Sequence, residues 1–138
     1  TYSEEELYPY LELANTDALQ TVMISHLFNR KIDSEFPASL SYKTIEKFLR
    51  VQTDFDGVTI TDDLDMGAIT RNFDRERVII LAINAGENIL LYSNREKPDP
   101  KLALKVIYEI QEGVIDGEIL PENLVNSYNK IIKLKENL

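Results

Sequence analysis

Three short apolar runs, each followed by polar loop residues and then by a stretch of helical spacing, constrain this chain more than any other feature. The runs are Thr21-Val22-Met23-Ile24-Ser25, Val58-Thr59-Ile60-Thr61 and Ile89-Leu90-Leu91-Tyr92. Each is β-branched or aliphatic and continuous, not alternating with polar residues, as in a strand covered on both faces. Strands that alternate with helices build a parallel sheet joined by right-handed crossovers.

The intervening stretches carry helix punctuation. Ser41 is placed to cap a helix whose Tyr42, Ile45, Phe48 and Leu49 share one face. Asp74 is placed to cap a helix over 75–85 that is apolar nearly all round and so deeply buried, with Gly86 as its left-handed stop. Asp99-Pro100 reads as N-cap and first helical residue of a third helix, carrying Leu102, Leu104, Val106, Ile107 and Ile110 and ending at Gly113. A closing helix starts near Pro121, with Leu124, Tyr128, Ile131 and Ile132 on one stripe. At the front, Leu7 to Leu13 is helical in pattern, with Pro9 expected in the first turn, where a missing N–H costs little. The order is a helix, three β–α units and a closing helix, with no repeat or linker dividing residues 1–138.

At 138 residues the chain holds one ordinary domain and falls short of the roughly 250 residues of a whole (β/α)₈ barrel. A net charge of −9 argues against nucleic acid and against an anionic membrane surface as partners. Its plainest consequence is solubility. Cysteine is absent, which removes disulfides, thiolate zinc sites and cysteine nucleophiles. No apolar run reaches the ~18 residues of a membrane span. The opening Thr1-Tyr2-Ser3-Glu4 reads as mid-protein sequence without a signal-peptide pattern, so localisation is not readable from it.

In parallel α/β sheets, ligands sit beyond the carboxyl ends of the strands. The residues there are Ser25 and His26 after the first run, Asp62, Asp63 and Asp65 after the second, and Ser93, Asn94 and Arg95 after the third. The second position places three carboxylates within four residues, and Asp62, first past the apolar run, is the best anchored. Capping of the short helix that follows is the competing role, and it suits Asp63 or Asp65 best.

The segment 55–69, Phe-Asp-Gly-Val-Thr-Ile-Thr-Asp-Asp-Leu-Asp-Met-Gly-Ala-Ile, resembles the nucleophile segment of family 3 glycoside hydrolases, in which "GFDG", an apolar strand and "SDDLxMGA" follow one another. Val22-Met23-Ile24-Ser25-His26 resembles that family's preceding strand, and Phe36-Pro37-Ala38-Ser39-Leu40-Ser41 its "PATLS" segment. Ala85-Gly86 with Ile89-Leu90-Leu91 stands where its last barrel strand would, and 127–135 is similar to its closing helix. The resemblance covers nearly the whole chain in the correct order. It implies an α/β fold that is the C-terminal portion, about the last three β–α units, of a (β/α)₈ TIM barrel.

The resemblance also implies a retaining glycosidase with Asp62 as nucleophile; Thr61 stands where serine is commoner. Such enzymes use one carboxylate to attack the anomeric carbon and a separate acid to protonate the leaving oxygen. In the β-N-acetylhexosaminidase branch that acid/base resembles a His-Asp pair on a mobile loop, reached through a "KHFPGHGDT…DSH" segment. Nothing like it occurs here, so the resemblance puts it, with the first five units, before Thr1. His26 follows the "VM" strand and is not that loop histidine; it is expected either to orient active-site neighbours or to be satisfied by backbone. Met66 is expected either at the sugar pocket or in the core of the turn, and Asp63 beside the site. The implied substrate is a β-linked N-acetylhexosaminide from cell-wall turnover, since "DDLxMGA" is closer to this branch than the glucosidase "SDW". No cofactor is implied. The expected partners are carbohydrate and either a second copy of the chain or the missing part of the barrel.

Other readings fit less well. Asp63-Leu64-Asp65 resembles the D-x-D of Mg²⁺-dependent aspartate phosphatases, but Met66 stands where Thr or Val is wanted. A receiver-type phospho-acceptor lacks its acidic pair and lysine. One histidine without cysteine does not make a usual zinc site. Ser25 and His26, as strand neighbours, point to opposite faces and do not form a catalytic pair. A β-glucosidase-type member of the same family and a non-catalytic structural fragment remain as alternatives.

Overall fold

A computed structural model describes residues 4–136 apart from 15, 17 and 96. The elements are α1 (Glu4–Ala14), β1 (Thr21–Ile24), a 3₁₀ turn (Ala38–Leu40), a π-helix (Lys43–Arg50) running into α2 (Val51–Thr53), β2 (Val58–Thr61), α3 (Gly67–Thr70), α4 (Arg75–Ala85), α5 (Leu102–Ile115) and α6 (Pro121–Glu136). β1 and β2 pair in parallel with Val22 opposite Thr59 and Ile24 opposite Thr61. The crossover between them carries the 3₁₀ turn and the π-helix, as the alternation predicts.

The third run does not become a full strand. It joins the sheet through one parallel bridge, Ile60 to Ile89, with Thr61 N–H donating to Ile89 O at 3.0 Å and Ile89 N–H to Thr59 O at 3.1 Å. Past that point Leu91 N–H turns to the Thr61 hydroxyl at 2.9 Å, a side chain, so the backbone ladder stops. The segment still runs beside β2 and delivers Ser93 and Asn94 to the same end of the sheet.

The sheet's two faces differ. Val22 and Ile24 pack with Ile45, Leu49, Phe55 and Ala85 beneath the π-helix and α4. Leu90 packs between two clusters that centre on Leu40, Leu64 and Val78 and on Ile79, Ile80 and Ile119. The pairing puts Met23, Ile60 and Ile89 on the opposite face, where Met23 is 58% exposed. Period-two alternation thus sends Val22, Ile24 and Leu90 to the helices and Ile60 to the other face.

α4 has the bounds its punctuation predicts. Val78, Ile79, Ile80, Ala82, Ile83 and Ala85 are buried, and Gly86 adopts φ 101°. That left-handed φ favours glycine, and a Cβ there would also crowd the Glu46 carboxylate. Ser41 caps as expected, its Oγ accepting from Thr44 N–H at 3.1 Å.

Two boundaries differ. Gly113 does not stop α5 but lies inside it, because a Cβ there would approach Ile119 Cδ1 to 2.9 Å; its role is close packing. α1 begins at Glu4, so Pro9 falls past its first turn. α5 starts at Leu102, with Asp99 Oδ1 accepting from Lys101 N–H at 2.9 Å one turn earlier than the helix proper.

Arg50 ties the lower ends of the units together. Its guanidinium donates to Gly57 O at 3.0 Å, to Asn88 Oδ1 at 3.1 Å and to Glu46 Oε1 at 3.0 Å. Asn88 in turn accepts from Thr59 N–H at 2.9 Å and donates to Ser127 Oγ at 3.0 Å, which fixes α6 to the sheet. Leu124, Ile131 and Ile132 are only half-buried and Tyr128 is exposed, so the apolar stripe of α6 is incompletely covered.

Candidate active site

The carboxyl ends of β1, β2 and the third run bring His26, Asp62, Asp63, Asp65, Ser93 and Asn94 together. β2 is the best anchored of the three, hydrogen-bonded on both sides, and Asp62 N–H continues its ladder by donating to Ile24 O at 2.9 Å. The Asp62 carboxylate is half-buried, and its Oδ1 accepts from Asp63 N–H at 2.8 Å.

Asp63 works as a clamp. Its Oδ1 accepts from Ser93 N–H at 2.9 Å and from Asp65 N–H at 3.0 Å. Asp65 Oδ2 accepts from Asn94 N–H at 2.8 Å, so both carboxylates brace the loop after β2 against the end of the third run. Neither caps α3, whose N-cap is Met66 without a side-chain bond. Burial pushes the Asp63 carboxyl up, but its hydrogen bonds to Ser93 and Asp65, with His26 nearby, outweigh this and hold it below the usual aspartate value.

His26 is bonded at both ring nitrogens. Nε2 lies 2.9 Å from Asp63 O and Nδ1 lies 2.7 Å from Ser39 Oγ. A carbonyl only accepts, so Nε2 carries a hydrogen, and in the neutral ring Nδ1 accepts the Ser39 proton. Met66 is 43% exposed at the start of α3, which rules out a core role and leaves it on the open side of the turn.

Ser39 is the residue that reading the chain for chemistry passed over. It is fully buried in the 3₁₀ turn, thirteen positions from His26, and only the fold brings them together. Asp33 anchors the intervening loop: its carboxylate accepts from Ser41 Oγ at 2.7 Å and Glu35 N–H at 2.9 Å. Among the described residues no group of three or more His, Cys, Asp or Glu side chains is placed to hold a metal ion, and no helix is long and apolar enough to cross a membrane.

A strand-end carboxylate held by backbone, flanked by a clamping aspartate and a doubly bonded histidine, defines an α/β protein with a polar site at the carboxyl end of a parallel sheet. Residues 1–134 match the family model for the glycosyl hydrolase family 3 N-terminal domain, and the chain belongs to that family. A β-hexosaminidase of Hydrogenovibrio crunogenus is 32% identical over 78% of the chain and 29% of that protein. The β-hexosaminidase A of Pseudoalteromonas piscicida is 26% identical over 99% of the chain and 25% of that protein. Among solved structures, the β-N-acetylglucosaminidase of Thermotoga maritima superposes with a TM-score of 0.81 at 30% identity, over 96% of this chain and 30% of that one. The chain thus spans less than a third of each of these proteins.

Proposed function

We propose that the chain forms the nucleophile-bearing part of a retaining β-glycosidase that removes terminal β-linked N-acetylhexosamine. The observation that carries this reading is Asp62: a carboxylate at the end of the central strand of a family 3 chain, one oxygen held by the next backbone N–H. The proposed step is attack by the other oxygen, Oδ2, on the anomeric carbon. The bond to the leaving oxygen breaks and a glycosyl ester forms on Asp62; water then hydrolyses the ester with retention. The names of the relatives favour the hexosaminide, and the barrel geometry that the resemblance implies supplies the pocket. His26, Asp63 and Met66 belong to this site as supporting residues.

In the full-length enzyme, 4-nitrophenyl N-acetyl-β-D-glucosaminide is expected to have a kcat/KM at least about tenfold above that of 4-nitrophenyl β-D-glucoside, since a site built to hydrogen-bond the acetamido group loses those bonds with a plain hydroxyl. The reverse ratio would favour the β-glucosidase reading.

The isolated chain is expected to be catalytically silent and not to persist as a monomer. Without an acid the leaving group departs unprotonated, and general acid help is worth ~10²–10⁴-fold. Met23, exposed beside Ile60 and Ile89, and the outer edge of β1 leave apolar surface and unpaired backbone groups for another copy or for the rest of the barrel to cover. Light scattering after size exclusion checks this: a stable monomer near 15.9 kDa with cooperative unfolding contradicts it.

A further inference from the structure

The connection between β1 and the π-helix reaches Asp62 through an unbroken set of hydrogen bonds. Ser39 Oγ lies 2.7 Å from His26 Nδ1, His26 Nε2 lies 2.9 Å from Asp63 O, and Asp63 N–H donates to Asp62 Oδ1 at 2.8 Å. Resting on the reading of Asp62 as nucleophile, we infer that Ser39 is a positioning residue for the reaction: its buried hydroxyl fixes the tautomer and plane of His26, which pins residue 63 and so the carboxylate of Asp62.

The geometry has one sense. Because Asp63 O is an acceptor, the neutral ring must keep its hydrogen on Nε2, and this requires a donor, not an acceptor, at Nδ1. A hydroxyl supplies that donor. Ser39 is fully buried in the 3₁₀ turn, so no bulk water replaces it if the oxygen is removed. The ring is then free to rotate or change tautomer, and the Asp63 carbonyl keeps only the Met66 N–H, at 3.0 Å. Orienting partners of this kind hold a reacting group without touching the substrate. Ser39 is buried and meets the site only through its bond to His26, so its loss alters attack and not sugar binding.

The test is a series at this position in the full-length enzyme. Ser39→Ala should lower kcat about tenfold, the worth of one buried hydrogen bond, with KM within twofold of wild type. Ser39→Thr and Ser39→Val match each other in size and differ in the hydroxyl, so Thr should retain kcat within about threefold while Val should fall to the level of Ala. The pair decides the matter even if Ala folds poorly. Val equal to Thr, or Ala at the wild-type rate, overturns the inference. An Asp62→Asn control separates the two claims. If it is inactive while Ser39→Ala is unaffected, only the positioning role falls. If it keeps wild-type turnover, the nucleophile reading falls and takes this one with it.

Discussion

Asp62→Asn in the full-length enzyme is expected to lower kcat by on the order of 10³-fold or more while leaving the unfolding midpoint near that of wild type. The amide keeps an oxygen to accept the Asp63 N–H bond, so the local geometry survives. What is lost is the negative oxygen that the proposed glycosyl ester requires. Asp63→Asn should behave differently, since its carboxylate holds Ser93 and Asp65 backbone and contributes through placement. A folded Asp62→Asn variant with rates near wild type would remove Asp62 from the chemistry.

A comparably large effect on stability is expected at Glu87. Its side chain is 2% exposed, and neither carboxylate oxygen has a hydrogen-bond partner among the described residues. Burial pushes its pKa up to about 8; the neighbouring Thr59 hydroxyl and the Arg50 guanidinium pull the other way without reversing it. Thr59 has already committed its proton to Gly86 O at 3.0 Å, so it has none to give to Glu87.

A carboxyl that is protonated in the folded state and ionises near 4.5 when unfolded favours folding fully at low pH. That contribution is lost as pH rises from the unfolded value to about 8. At pH 7 the difference is on the order of 3 kcal/mol, taking ~1.4 kcal/mol per pH unit. Glu87→Gln copies the neutral form, so its stability advantage over wild type should be small at pH 4.5, grow to about that size by pH 7 and level off above pH 8. Urea unfolding of both proteins across this range measures it. An advantage that does not change with pH would mean that Glu87 is ionised in the fold.

Much of the fold was legible because local signals agreed with tertiary packing. β2 reads as a covered strand and is one, and Asp74 and Gly86 bracket α4, Gly86 through its left-handed φ and Asp74 by position alone, without a side-chain capping bond. Where reading failed, long-range packing had overridden a local signal. Gly113 looks like a helix stop, but it is small because Ile119 presses against it from beyond the helix end. The third run looks like a strand, but its ladder breaks where Leu91 N–H turns to the Thr61 hydroxyl. A continuous apolar run such as β1 also hides which alternate residues meet the helices.

The site shows the same division. Asp62 was visible because position at a strand end and the motif around it coincide. The links from Ser39 to His26 and from Asp63 to Ser93 are contacts across 13 and 30 positions, which spacing does not encode. Glu87, between a helix stop and an apolar run, looks like an ordinary surface charge until the fold closes over it.

Mechanism-based labelling tests the central claim most directly. A 2-fluoro-glycoside with a good leaving group should form a slowly hydrolysed ester in the full-length enzyme, and peptide mapping by mass spectrometry should find the sugar on Asp62. A label on Asp63 or Asp65, or inactivation with no ester anywhere in residues 55–69, would contradict the account.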